Sequence, residues 1–375
     1  MVLRYRDDEG VKEQRVLLGD SKADVIVAAK GRPRWLCANA EAAGFYRCQY
    51  DDRLLTALGT AASALAPVAR MALVSDQWAL VRAGATSVGA FLDLVASLND
   101  ERDHFVLDEL IGRLSVIEYR HVAGEDHAAL RSVIGRLFEA AAGDMGWPSP
   151  GADRGSDDDL LRRAALLRAV VGLARVPTFV AEAERQYLTL VAAPIADRPA
   201  LALDPNLMDT VVTAAARVAD SARFDDMARR ATTEVDPATK RRFLLALARV
   251  ETPALIARAI ETALGSVVPM QDFTSYLSVL LTNPATRDGA WALVRDRWSE
   301  VHAKADSPML LRRLVEALAS LPERRHLEEV ERFLATHPIE PAKQAVAQTL
   351  ERMRTDVALR ERLIPQVARW VRARP

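Results

Sequence analysis

The strongest constraint in this chain is a change of period at Asp51. Before it, apolar residues sit in short β-rich runs. From it to the end they recur about every 3.6 positions, the spacing of one helix face. Asp51 can cap "DRLLTALGTAASAL", and Pro67 suits the first turn of "PVARMALVSDQWALVRAG", which Gly84 ends. Ser87 opens "VGAFLDLVASL", and further helices are expected over roughly 102–118 and 124–142. The loop "GDMGWPSPGADRGS" interrupts the pattern. Ser156 and the three Asp residues after it then start another helix with acids at its positive end.

The second half keeps a beat. Pro237, Pro253, Pro269, Pro284, Pro308, Pro322 and Pro338 mostly recur every 14–16 residues, each near a helix start or in the turn before one. Helix pairs of about 32 residues cannot bury their apolar faces alone and must stack on neighbours. The expected fold is therefore mainly α, an irregular HEAT-like α-helical solenoid or superhelical arch over residues 51–375; a compact bundle is the other arrangement of the same pattern. Composition agrees: half the residues are apolar but only 6% are aromatic, so Ala, Leu and Val do most of the packing.

Residues 1–50 differ. "RVLL" (15–18), "DVIVAA" (24–29), "RWLCA" (34–38) and "FYRCQY" (45–50) are expected as strands separated by turn-forming phrases. Four short strands make a poor free-standing domain, because one face of the sheet needs a second layer. The segment reads as incomplete by itself, with Met1 expected as the start of a fragment. Cys37 and Cys48 lie on neighbouring strand-like runs. A cross-strand disulfide is geometrically open to them, and two free thiols in a reducing, cytoplasmic setting is the reading adopted.

Basic and acidic residues balance at 50 against 51, and the Arg residues are interleaved with Asp and Glu, which argues against a nucleic-acid partner. The N-terminal "MVLRYRDDEG" lacks an apolar signal segment. The longest uncharged run, Leu54 to Ala69, is too short to span a bilayer, so no membrane partner is expected.

Catalytic signatures are missing. The chain has no His-Glu-x-x-His, no Gly-x-Ser-x-Gly and no phosphate-cradling glycine loop. His121 and His127 in "HVAGEDH" are six apart with Gly124 between, whereas a helical zinc pair needs a spacing of four. His104 and Asp108 are four apart and read as a surface pair. "HLEEVERFL" (326–334) is a charged helix face with an apolar stripe. No metal ligands and no catalytic residues are assigned.

Three phrases taken in order carry a resemblance. "RWLCANAEAAGFYRCQYDD" resembles the link between the β-sandwich and the C-terminal helical domain of zinc aminopeptidases of the aminopeptidase N and puromycin-sensitive type. The matching residues are Trp35, Asn39, Gly44, Phe45, Tyr46, Arg47, Tyr50 and Asp51. "ARMALVSDQWALVRAG" is similar to the next family phrase at Arg70, Asp76, Ala79 and Gly84. "VVPMQDFTSYLSVLLTNPATRDGAWALVRDRW" is similar to a later one at Gln271, Asp272, Asn283, Trp291 and Trp298. Cys48 departs from the family, which has an aliphatic residue there.

The resemblance implies a map with the end of a sandwich domain at 1–50 and the helical domain at 51–375. It places the zinc motif and the amine-binding Gly-x-Met-Glu-Asn in an upstream catalytic domain. There a zinc-bound water, helped by a Glu base, would attack the first peptide bond. The helical domain would cap that chamber and limit which peptide substrates enter. Gly44, Phe45, Tyr46, Arg47, Tyr50 and Asp51 are then junction residues: Gly44 permits a close approach, Phe45 and Tyr50 wedge between sheet and first helix, and Asp51 caps that helix. Arg249, at the end of "DPATKRRFLLALARV", falls where peptide-trimming relatives use a basic residue to hold a peptide carboxylate; in the plainer reading it offsets a helix dipole. A stand-alone helical scaffold that binds a protein partner is the other functional class left open.

Overall fold

The computed structural model describes residues 1–19, 21–148, 155–193 and 204–374. It is mainly helical with one small sheet, as the change of period predicts. Strands β1 (Val2–Asp7), β2 (Gly10–Arg15) and β3 (Trp35–Cys37) form an antiparallel sheet in the order β2-β1-β3. Arg4 faces Cys37 and Arg6 faces Trp35 across the register, so Trp35 and Cys37 share a face with Val2. That face packs on Leu55 and Leu58 of the first helix and on Leu65 in the connection that follows it. On the opposite face, Tyr5 donates to the Ala28 carbonyl (2.8 Å) and the Lys30 amide donates to Asp7 (2.9 Å).

Two expected strands lie outside the ladder, and in each a side chain takes the place of a strand partner. The Gln14 carboxamide bonds both the Ile26 carbonyl and the Ala28 amide (2.9 Å each), so 24–29 is held without a neighbour's backbone. In 45–50, the amide and carbonyl of Cys48 are taken by Asp76 and Gln77. Of "RVLL" only Arg15 belongs to a strand. The strand at 2–7 was not anticipated: Arg4, Arg6 and Asp7 disguise an alternation in which Leu3, Tyr5 and Asp7 are the buried residues.

The helices follow from Asp52. First come α1 (Asp52–Thr60), α2 (Pro67–Ala83), α3 (Val88–Ser97), α4 (His104–Arg120) and α5 (Asp126–Met145). Next, α6 (Asp157–Leu167) runs into a π-helical segment, Arg168–Leu173, before α7 (Pro177–Ala192). The middle holds α8 (Met208–Arg217), α9 (Ser221–Thr233), α10 (Pro237–Leu247), α11 (Pro253–Thr262) and α12 (Met270–Thr282). The last are α13 (Arg287–Asp296), α14 (Trp298–Lys304), α15 (Pro308–Leu318), α16 (Arg324–Thr336) and the 30-residue α17 (Lys343–Arg372).

The local signals act as expected. Asp51 accepts from the Leu54 amide (2.7 Å), Ser87 from Ala90 (3.1 Å), and Ser156 with Asp159 forms a capping box. Gly84 ends α2 in the left-handed region (φ 81°), and a side chain there would meet Arg362. Pro237, Pro253 and Pro308 sit in first helical turns. The middle of "GDMGWPSPGADRGS", residues 149–154, lies outside the described residues.

Two apolar cores run through the helices. One is built from α2–α6, the π segment and their neighbours, the other from α7 onward. Helix α17 belongs to both: Met353 and Val357 pack in the second, while Leu359, Leu363, Val367, Trp370 and Val371 return to the first. Gln366 accepts from the Val88 amide and Trp370 donates to Asp93 (2.8 Å), so the last helix closes onto α3.

Helix C-termini leave carbonyls without intrahelical partners, and a cation is favoured beside them. Side chains from other layers fill these positions. Arg217 donates to Gly172, Arg120 to Ala319, Arg362 to Val81 and Arg82, and Asn283 to Ala248 and Val250. Several residues that carry the resemblance are such cross-links. Asn283 is one, and Trp291, whose indole donates to Glu329 (2.6 Å), is another.

Candidate functional site

The junction is built from a pinned turn. The Asn39 carboxamide bonds both the amide and the carbonyl of Gly44 (3.1 Å each), and a Cβ at Gly44 would lie 1.9 Å from the Tyr46 ring. Tyr46 donates to the Ala38 carbonyl and Tyr50 accepts from the Ala38 amide (3.0 Å each). Arg47 donates to Asp76 (2.7 Å), whose other oxygen accepts from Cys48 (3.0 Å), and Gln77 donates to the Cys48 carbonyl (3.0 Å). These bonds join Gly44, Tyr46, Arg47 and Tyr50 through Asn39, Ala38 and Asp76, while Asp51 caps α1. Phe45 stands outside this set. It points into solvent at 110% relative exposure instead of wedging against the first helix, because its neighbours on both sides are already bonded. The roles of Asn39, Asp76 and Gln77 here were not foreseen, although an adjacent Asp-Gln on the buried side of α2 was the available signal.

Cys37 and Cys48 are free and buried, and burial raises both thiols, Cys48 to about 11. They are poor nucleophiles.

Arg249 lies two residues beyond the end of α10, not in its last turn. Its amide donates to Ala246, and its exposed guanidinium bonds no described residue. Its charge acts on Arg217, a largely buried guanidinium that donates to the Tyr119 hydroxyl (3.1 Å). Arg217 sits below the usual arginine value, first through burial and then through Arg175 and Arg249. Arg175 adopts a left-handed backbone (φ 58°), uncommon for a side-chain-bearing residue, and makes a bidentate pair with Glu251 (2.6 and 2.7 Å). Arg175 and Arg217 thus share Glu251, and Arg249 lies near them without a described acidic partner.

A second feature is a hollow of about 490 Å³ bordered by Arg120, Arg313, Arg352, Thr274 and Ser278, with the carboxylate of Glu316 also on its wall. Arg120 is anchored by Asp356 (2.9 Å). Guanidinium groups and hydroxyls in one polar hollow suit an anionic or carboxylate-bearing ligand. No sequence pattern announced it, because its walls come from helices far apart in the chain.

The histidines do not converge. His121 is buried against Trp78 and its Nδ1 has no partner, whereas His127 contacts Glu118 (3.3 Å). His104 faces Asp158 (3.6 Å), not Asp108, which is drawn instead to Arg168. Among the described residues no three His, Cys, Asp or Glu side chains are grouped to hold a metal, so this part of the chain does not fit a zinc site. Likewise no single helix there is long and apolar enough to cross a membrane.

His121 supplies a pH test. Burial, then the charges of Arg120, Arg360 and Arg82, lower its value from 6.5 to about 3. The unfolded chain therefore takes up a proton below pH 6.5 that the folded chain refuses. Its contribution to stability is full above pH 6.5 and is lost as the pH falls toward 3, by about 1.4 kcal/mol per pH unit. Between pH 6.5 and 5, wild-type stability is expected to fall more steeply than that of His121→Leu in urea titrations; equal slopes would refute the assignment.

Comparison with known proteins completes the picture. A family model described as ERAP1-like C-terminal domain matches residues 35–355. Aminopeptidase M1 of Arabidopsis thaliana is 28% identical over 92% of this chain and 39% of its own length. Aminopeptidase 2 of Candida albicans is 23% identical over 99% of this chain and 40% of its own. Human endoplasmic reticulum aminopeptidase 2 is 22% identical over 94% and 36%. The chain spans about two-fifths of the length of these relatives. It belongs to the family of ERAP1-like C-terminal domains, the C-terminal part of aminopeptidase-family proteins.

Proposed function

We propose that this chain is the non-catalytic wall of a zinc aminopeptidase. Residues 1–50 end a β-sandwich, and 51–375 form a HEAT-like arch that caps the active-site chamber and limits which peptides reach it. The observation that carries the reading is the extent of the match: nearly all of this chain aligns with aminopeptidases, but only about two-fifths of each aminopeptidase aligns with it. The zinc and the residues that act on the peptide bond then belong to the preceding catalytic domain, which is the chain's principal partner. The hollow in which Arg120, Arg313 and Arg352 outnumber Glu316, together with the exposed Arg249, supports a wall that meets the negative end of a peptide. Interleaved charge argues against nucleic acid as partner, and free thiols at Cys37 and Cys48 fit a reducing, cytoplasmic setting.

Residues 1–375 alone should keep no stoichiometric zinc after dialysis and hydrolyse no aminoacyl amide. One zinc per chain with chelator-sensitive turnover would overturn the domain map.

Arg249 tests the wall directly. An extended ten-residue peptide reaches about 33 Å, far enough to touch a wall remote from the metal, whereas a single-residue amide does not. In the complete enzyme, Arg249→Ala should raise KM several-fold for the ten-residue peptide and leave the amide unchanged. Equal effects on both substrates would reduce Arg249 to a helix-end cation.

A further inference from the structure

Phe45 is the most exposed of the large apolar side chains among the described residues. It lines a groove of about 480 Å³ between the Asn39–Arg47 turn and α2, where Tyr46, Val68, Met71 and Ala72 supply apolar surface and Asp76 and Glu109 add carboxylates. Val68 and Met71 are themselves exposed at 43% and 37%. An unburied phenyl forgoes about 1.5–3 kcal/mol of burial, so a free loop would fold it inward. This loop is not free. Gly44 is held at both its amide and its carbonyl by Asn39, Tyr46 is tied to Ala38, and Arg47 is tied to Asp76. The bonds present Phe45 as a rigid apolar knob beside this groove, an arrangement that loses little entropy on being covered.

We infer that this groove seats the part of the same longer polypeptide that precedes residue 1. The inference rests on the reading under Proposed function and adds where the two parts meet. Two observations choose the occupant. Some three-fifths of each relative lies outside the match, and the matched family is a C-terminal domain, so most of that length precedes it. The chain also enters the molecule beside the groove: the Val2 carbonyl accepts from the Ala40 amide (3.1 Å), next to Asn39 in the groove wall. A handful of side chains offers far less than the roughly 800 Å² per partner of a stable free interface. Such a patch holds a tethered neighbour, whose effective concentration is in the millimolar range, and fails to hold a second copy.

The test uses the longer polypeptide with Phe45→p-benzoyl-Phe, irradiated and mapped by mass spectrometry. The expected product is an intramolecular cross-link from position 45 to a residue preceding Met1. A cross-link confined to residues 1–375, one between two copies, or none, overturns the inference. As a second measurement, Phe45→Asp should raise amide exchange over residues 67–75 to the level found in residues 1–375 alone, and unchanged exchange also overturns it. Zinc content and single-residue amide hydrolysis of the same preparation keep the two ideas apart. An active zinc enzyme with no such cross-link sinks only this docking site, whereas a longer polypeptide lacking zinc and activity sinks the functional reading beneath it.

Discussion

A chain ending at Arg354 should fail to fold α2–α5, although every residue of those helices is still present. The truncation removes Leu359, Leu363, Val367, Trp370 and Val371, all of which are buried in the core of those early helices. Each such side chain contributes about 1.5–3 kcal/mol, together about 10 kcal/mol, which matches the whole stability of an ordinary domain. The cut also strips Gln366 from the Val88 amide and Trp370 from Asp93, contacts that join residues 278 and 277 positions apart. The expected result is loss of the cooperative thermal transition, with amides of residues 88–117 exchanging as in an unfolded chain. A milder change, Trp370→Ala, should cost about 3–5 kcal/mol because it leaves a cavity that rigid neighbours cannot close. If the truncated chain retains native protection in α3 and α4, the two cores are independent and α17 is not the tie between them.

Removal of the Arg70 guanidinium is expected to have the next largest effect. Arg70 makes a bidentate pair with Glu101 (2.6 and 2.7 Å) and donates to the Leu65 carbonyl (2.6 Å). Glu101 is 7% exposed, and one of its oxygens also accepts from the amides of Arg102 and Asp103, shaping the turn into α4. Arg70→Ala leaves a buried carboxylate with no cation and should destabilise by about 3–5 kcal/mol. Arg70→Met with Glu101→Leu removes both charges and should recover part of that loss, since most of the penalty is the stranded charge and not the absent pair. Chemical denaturation of the three variants checks this. A loss under 1 kcal/mol in Arg70→Ala would mean that water reaches Glu101.

Most of the helical architecture was legible because its signals are local. Asp51, Ser87 and the Ser156 box act within three residues of themselves, and the prolines mark helix starts through their own fixed φ. What failed was what depends on distant partners. The segments 24–29 and 45–50 have strand composition, but Gln14, Asp76 and Gln77 occupy their backbone groups with side-chain atoms. Phe45 was expected to be buried because it is apolar, and the bonds that hold it outward come from Asn39 and Asp76, neither of which a β pattern reveals. The basic hollow is likewise assembled from Arg120, Arg313 and Arg352, on three helices whose neighbourhood no local period encodes. Arg249 was expected in a helical turn and lies just past it, an error of two residues at an unsignalled helix end.

The return of α17 to α3 has a consequence for the order in which the protein is made. Asp93 leaves the ribosome 277 residues before Trp370, which at about 5–20 residues per second is about 15–55 s of elongation. For that interval the early helices carry an apolar seam whose covering residues do not yet exist. Hydrophobic collapse takes about 1–100 μs, so the nascent chain must hold this seam open, or shield it, for at least roughly a hundred thousand collapse times. Chaperones that bind exposed Val, Leu and Phe would engage the emerging chain along α2–α5 and be displaced only when the last thirty residues arrive.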